Sequence, residues 1–281
     1  MSLIATARRL RHGPLKPLGS LWVVLGRLFR ASLSVLPLDL TVSHRIGAYG
    51  PFRLDGHFAF SDFEHWGGVA HNRGFEACIE AARGRHCMLD VGGHIGLVSL
   101  PVSRVLAPGG RVFAFEPARA NLRYLKRHIA LNAAANIEVV EALVGAEPRD
   151  AVAFFEQAGP TGQNSVLARD GHRETTRPQI TLDTFCNARA LRPEVVKIDV
   201  EGAEIDVLQG ARETLRRHRP LVFLSVHPRH LRALGRDEAE LHDCIAALGY
   251  RCLDMDGQPV ERFALDEYRL EPMEESTRDA A

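Results

Sequence analysis

Cys87-Met88-Leu89-Asp90-Val91-Gly92-Gly93-His94-Ile95-Gly96 runs from a short apolar strand into a glycine-rich turn and on into helical spacing. Apolar residues then recur at helical intervals over 95–106 and stop at Pro108-Gly109-Gly110, with a kink predicted at Pro101. Glycines at 92 and 93 let the backbone turn tightly and approach a ligand with no Cβ in the way, and Gly96 lets the following helix press on the strand. A helix N-terminus beside such a turn offers N–H groups to a polar or anionic ligand group. Asp90 adds a carboxylate at the strand end, which suits an ammonium group. Strand, glycine turn and helix together predict a nucleotide-type cofactor site.

Working outward, the same alternation repeats. Strands are expected at 111–115, 137–140, 195–200, 221–226 and 250–253. Helices are expected at 118–132, 204–216 and around Leu241, Ile245 and Leu248. Residues 141–194 read as less regular. Upstream, helical spacing covers 73–82, and a Gly-rich stretch between His44 and Phe60 with alternating apolar positions reads as a small hairpin or lid. Short, nearly continuous apolar strands alternating with helices mark a parallel sheet covered on both faces. Ligands on such sheets bind beyond the carboxyl ends of the strands, after Val91, Phe115, Val140, Val200 and Val226.

The strand ends carry suitable groups. Glu116-Pro117 follows the second strand, twenty residues past Gly96, where an acid can accept from both hydroxyls of a ribose. Glu141-Ala142 follows the third, placed to meet an adenine edge. A nicotinamide site would favour Gly-x-Gly-x-x-Gly, whereas this chain reads Asp-x-Gly-x-x-x-Gly. A carboxylate there would repel a pyrophosphate but could hold the ammonium group of S-adenosylmethionine. Asp199 ends the fourth strand, the best position from which to hold an acceptor, and His227 follows the fifth as the natural base at neutral pH. Glu201 and Glu204 flank them; Glu204 opens a helix, where an acid is favoured without any catalytic task. Magnesium on Asp199, Glu201 and His227 is conceivable chemistry, but nothing in the spacing demands a metal.

Four blocks in order, Asp90 to Gly96, Val112-Phe113-Ala114-Phe115-Glu116-Pro117, Leu182-Asp183-Thr184-Phe185 and Lys197-Ile198-Asp199-Val200-Glu201-Gly202-Ala203-Glu204, resemble the FkbM-type methyltransferases. Leu208-x-Gly210-Ala211, Arg219-Pro220 and Gly162-x-Asn164-Ser165 fit the same pattern over roughly residues 75–250. The resemblance implies an α/β fold of the class I methyltransferase (Rossmann-like) type, a three-layer sandwich with a mainly parallel seven-stranded sheet. It also implies O-methylation, with S-adenosyl-L-methionine, of a hydroxyl on a sugar, glycan or secondary metabolite. The expected donor site comprises Asp90, Gly92, Gly93, His94, Gly96, Glu116, Pro117, Glu141 and Ala142; the expected catalytic group comprises Asp199, His227 and Glu201. Two positions depart from the family. Gly93-His94 stands where Ala-Asn is usual, and Ser225-Val226-His227 where the fifth strand commonly ends in Glu-x-His.

The remaining sequence bounds the reading. Thirty-five basic and thirty-five acidic side chains cancel, which argues against a nucleic-acid partner. Residues 1–38 nevertheless carry six basic groups and no acid, and the chain from Asp254 onward carries nine acids and three arginines. These read as a basic arm over 1–40, which either touches an anionic membrane face peripherally or packs on the domain, and as a solvated acidic tail over 256–281. Between them lie a hairpin/helix lid over 41–84 and a methyltransferase domain over 85–255. Five cysteines without a CxxC pair predict buried thiols in a reducing, cytoplasmic setting. Two other functions stay open at this point: a donor- or partner-binding member of the fold without catalysis, and a nicotinamide-dependent oxidoreductase.

Overall fold

A computed structural model describes residues 22, 24–26, 28–29, 39–67, 72–157, 159–162, 164–168 and 170–274. The basic side chains of the arm lie outside the described residues. The chain divides into two compact units, residues 1–66 and 67–281. Among the described residues no helix is long and apolar enough to cross a membrane.

In the first unit, β1 (Thr41–Ile46) and β2 (Tyr49–Asp55) pair antiparallel. Val42 and Ile46 alternate with outward residues on β1, and Phe52 and Leu54 are buried on β2. One face of the hairpin is therefore apolar, as period-2 patterning requires. His44, also buried, shares a hydrogen bond with the Phe58 carbonyl at 2.8 Å.

The second unit is built on a seven-stranded sheet. Its strands are β3 (Cys87–Val91), β4 (Arg111–Phe115), β5 (Ile137–Val140), β9 (Val195–Ile198), β10 (Leu221–Val226), β11 (Tyr250–Leu253) and β12 (Asp266–Pro272). Their order is β11-β12-β10-β9-β3-β4-β5, with β12 antiparallel to both of its neighbours and the pairs from β10 to β5 parallel. The expected α/β sandwich with a mainly parallel seven-stranded sheet is present. A separate sheet, β6 (Leu143–Val144), β8 (Arg173–Ile180) and β7 (Arg149–Glu156), fills the stretch that the sequence left irregular.

Register sorts the strand residues onto two faces. Leu89, Val91, Phe113, Phe115, Val196, Ile198, Val222 and Leu224 enter one apolar core. That core is completed from α4 (Leu182–Arg189), α5 (Glu204–Gln209), α6 (Arg212–His218), α7 (Pro228–Ala233) and α8 (Glu238–Ala247). The opposite face carries Met88, Asp90, Val195, Lys197, Phe223 and Ser225, and α1 (Arg73–Ala82) packs there against β9, β10 and β12. Next to α1 lies α2 (Ser99–Val105); α3 (Arg119–Leu131) follows β4.

Several expectations need correction. Of the solvated tail expected over 256–281, the described part to residue 274 is no tail: Tyr268 and Leu270 are buried and put β12 between β10 and β11, because alternation, rather than net charge, decides which face a strand shows. Helix α1 belongs with the sheet unit and not with the hairpin. Pro101 kinks nothing. The helix starts at Ser99, so Pro101 lies in the first turn, where an N–H would lack an intrahelical partner anyway. The single helix expected over 204–216 is two helices broken at Gly210, where a Cβ would lie 2.0 Å from the Gly145 carbonyl oxygen. The Asp183 carboxylate then accepts from the N–H groups of Glu213 and Thr214 at 3.0 and 2.7 Å and starts α6.

Candidate active site

The glycine turn after β3 is stitched to the end of β4. Gly92 and Gly93 both donate their N–H groups to the Phe115 carbonyl, at 3.0 and 2.9 Å, and Gly96 donates to Gly93 at 2.8 Å. These three donors are spent within the protein and set the shape of the turn. Gly92 has φ +89°, and a Cβ there would lie 1.9 Å from the Asp199 carbonyl oxygen. The residue has to be glycine so that the ends of β3 and β9 can touch. His94 sits at φ +49°, a region in which Asn, Asp and His are enriched, which explains how histidine stands in for the family's asparagine. Burial pushes its imidazole down to about 4 despite the pull of Asp199, so the ring is neutral. Its Nε2 is buried with no hydrogen-bond partner among the described residues.

Glu116 is buried and holds this loop in place. Its carboxylate accepts from the N–H groups of His94 and Ala118, each at 2.8 Å. Burial pushes its pKa up to about 8, with those N–H groups working against the shift. The carbonyl of Pro117 accepts from Arg177 at 2.6 Å, and Arg177 pairs with Glu156 at 2.7 Å in a buried ion pair. Ala142 is buried beside β5. Glu141 is not brought into the group: its carboxylate is exposed and pairs with Lys126 at 2.5 Å.

Thr161, Asn164 and Ser165 tie the first turn of α3 to the segment that follows β9. Asn121 and Thr161 exchange two hydrogen bonds of 3.0 Å. Asn164 accepts from Gln157 N–H at 3.0 Å and donates to the Thr161 carbonyl at 3.1 Å, and Ser165 donates to the Glu201 carbonyl at 3.3 Å. The Asn164-Ser165 motif is thereby a fastening. Asn121, Glu156, Thr161 and Arg177 escaped the sequence reading, because their partners lie 21 to 60 residues away.

The charged residues gather at the ends of β3, β9 and β10. Asp90 is fully buried; Ser99 Oγ donates to its Oδ2, and its Oδ1 has no partner among the described residues. Burial raises its pKa, against the attraction of Lys197. Lys197 Nζ lies 3.1 Å from Asp199 Oδ2. Burial pushes Asp199 upward, but Lys197 and His227 outweigh it and hold the carboxyl below its ordinary value. His227 Nδ1 lies 2.8 Å from Glu204 Oε1, while its Nε2 faces Asp199 Oδ1 and Glu201 Oε1, each at 3.7 Å. Burial lowers the pKa of His227; Glu204, Asp199 and Glu201 outweigh that and raise it. A carboxylate can only accept, so the proton of the neutral ring sits on Nδ1 and leaves Nε2 as the acceptor. Glu201, at φ +55°, also reaches His230 Nδ1 at 2.9 Å, and the rings of His227 and His230 stack at 5.7 Å. The structure thus brings Asp199, His227 and Glu201 together and adds Glu204 as the residue that orients His227. Among the described residues no group of His, Cys, Asp and Glu is arranged to hold a metal ion. Across from Ser225, the second departure, stands Glu267 of β12.

Residues 90–252 match the family model of the methyltransferase FkbM domain, more than half of the chain. The chain belongs to the FkbM methyltransferase family. Among curated proteins it is similar to Methyltransferase 1 of Beauveria bassiana (strain ARSEF 2860), 28% identical over 145 residues. That match covers 44% of this chain and 57% of the fungal protein, so the chain spans little more than half the length of its relative. Among solved structures, methyltransferase FkbM from Methylobacillus flagellatus KT is 22% identical, covering 67% of this chain and 44% of the other at a TM-score of 0.45. The O-methyltransferase TomG from Streptomyces achromogenes, in complex with SAM, is 14% identical, covering 73% and 81% at a TM-score of 0.40. In this FkbM-family chain the matched segment begins at Asp90 itself and ends within β11.

Proposed function

We propose that this chain transfers a methyl group from S-adenosyl-L-methionine to a hydroxyl of a sugar, glycan or secondary metabolite. Family membership supports the methyl transfer. The observation that carries the rest is His227, oriented through Nδ1 by the buried Glu204 and presenting Nε2 beside Asp199 at the carboxyl edge of the sheet. A hydroxyl is a poor nucleophile and gains from a positioned base as its proton leaves.

The residues present fit the donor. Asp90 Oδ1, buried and without a hydrogen-bond donor, suits an ammonium group. Gly92, Gly93, His94, Gly96, Glu116, Pro117 and Ala142 complete the proposed donor surface, with Glu116 fixing the loop where the ribose would lie; Glu141, in its exposed pair with Lys126, is left out of it. When bound, the donor supplies an electrophilic methyl carbon on a sulfonium whose sulfur leaves as a neutral thioether. Nε2 of His227 takes the acceptor's proton, and Glu204 steadies the resulting imidazolium. Asp199, anchored by Lys197, holds the acceptor in line, so that much of the rate comes from positioning. Glu201 keeps the proton on the His227–His230 side of the site.

The test is an acceptor screen with labelled methyl donor over glycan, sugar-nucleotide and polyketide hydroxyls. With a competent acceptor, Asp199→Asn and His227→Gln should each lower kcat by about 10² to 10⁴. Activity of the unaltered chain should rise with pH through the titration of His227. Both variants retaining full transfer would overturn the assignment. A cytoplasmic setting and a peripheral membrane contact through residues 1–40 belong to the same reading; an unchanged membrane fraction after deleting that arm would remove the contact.

A further inference from the structure

On the α1 face of the sheet a row of charged and polar side chains crosses four strands. Asp90 on β3 is in register with Lys197 on β9, Lys197 with Phe223 on β10, and Ser225, two residues on and on the same face, with Glu267 on β12. Lys197, Ser225 and Glu267 line one narrow recess together with Gly74 and Cys78 of α1. Glu267 lies fifteen residues beyond the segment that matches the family, on the strand the sequence suggested was solvated tail.

We propose that Glu267 is a positioning residue of the donor site: its carboxylate neutralises Lys197 from the β12 side and so leaves the Asp90 carboxylate for the donor's ammonium group. The inference rests on the donor reading given above. A lone buried ammonium beside Asp90 would claim that carboxylate for itself, since an ion pair in a poorly hydrated site is strongly attractive. Here Lys197 has acids on three sides: Asp199 in direct contact, Asp90 in register, and Glu267 across the recess. The attraction of Asp199, Asp90 and Glu267 outweighs the effect of burial and keeps Lys197 charged. Burial raises the pKa of Glu267, and Lys197 is the largest influence opposing that rise. The carboxylate is also fixed in place. Gly74 N–H donates to its Oε2 at 2.6 Å, and a Cβ on Gly74 would lie 3.0 Å from the Cβ of Glu267. The other titratable neighbours are Asp266 beside it on β12 and the Cys78 thiol, which burial keeps protonated.

Glu267→Gln keeps the shape and the acceptor for Gly74 N–H while removing the charge. Calorimetric titration of the full chain uses three probes: S-adenosylmethionine, S-adenosylhomocysteine and 5′-methylthioadenosine. The first two carry the ammonium group and the third does not. Glu267→Gln should weaken the first two by about tenfold and leave the third within about twofold. Restoring the charge from the adjacent strand, in Ser225→Glu with Glu267→Gln, should return both affinities to within about threefold of the unaltered chain. Equal loss for all three probes, or none for any, overturns the proposal. If Glu267→Gln does not fold, the double variant decides: a folded double variant still about tenfold weak for the ammonium-bearing probes overturns it, and one near normal supports it. Failure of the unaltered chain to bind any probe sinks the donor reading itself, a separate outcome.

Discussion

The two faces of the central sheet are made by the same strands and do opposite things. On one, Leu89, Val91, Val196, Ile198, Val222 and Leu224 meet α4, α5, α6 and α8 in an apolar core. On the other, the alternate residues of those strands include Asp90, Lys197 and Ser225, all buried. An apolar face needs the right volume and tolerates many sequences. A buried charged row has to be mutually compensated, because an unpaired ion in the interior costs several kcal/mol. The difference teaches that stability and ligand chemistry are separated here by a period of two residues.

Four experiments probe that separation. Gly92→Ala should break both faces at once, since its Cβ would overlap the Asp199 carbonyl and joins a φ of +89°. A loss of about 4 kcal/mol or more is expected, read as failure to fold or a much lowered melting temperature. Leu224→Ala, on the apolar face, should cost about 2 to 5 kcal/mol in denaturant unfolding. Its donor affinity, measured on folded protein, should stay within about threefold; a large affinity loss would blur the division.

The third test uses pH. Folded Glu116 holds its proton up to about 8, against an ordinary value of 4.5, so the unfolded chain loses that proton first and stability falls as pH climbs between those values. His94 works in the opposite sense, its stabilising effect disappearing as pH falls from 6.5 through about 4. The two offset each other over the shared range, and above about pH 6.5 Glu116 acts in the same direction as His227, whose raised pKa likewise makes stability fall as pH climbs. Glu116 should lower stability there by up to about 1.4 kcal/mol per pH unit, read as a falling melting temperature, and Glu116→Gln should lessen the decline. An unchanged slope would show that the His94 and Ala118 N–H groups keep Glu116 ionised throughout. The smallest effect belongs to Glu141→Gln. Its exposed pair with Lys126 predicts less than about 0.5 kcal/mol in stability. Donor affinity is then the sharper measurement, because a clear loss would bring Glu141 into the site after all.

Much of the fold was legible from local pattern. Strand residues 87–91, 111–115, 137–140 and 221–226 follow from short apolar runs bounded by Gly, Pro and acids, and β2 from the alternation of Phe52 and Leu54, whereas β1 lies mostly ahead of the expected hairpin and Phe58 falls in a 3-10 turn. What escaped depended on distant partners. Strand β8 has no apolar run to announce it, and the apolar run Ala151–Phe155 of β7 gains its strand partner only from β8, with Phe154 and Arg177 the buried residues of the pair. Strand β12 is masked by its acids. Of the site, Asp90, Asp199 and His227 could be read as strand-end groups. Glu204 looked like a helix opener, and only its 2.8 Å contact with His227, 23 residues on, reveals an orienting role.

By itself the sequence determined the alternation of strands and helices, the glycine turn, and the family to which the chain belongs, because these rest on neighbours a few residues apart. Tertiary structure decided which carboxylate each positive group faces. That outcome depends on strand order and register, which bring residues 90, 197, 225 and 267 into one row although up to 107 positions separate successive members.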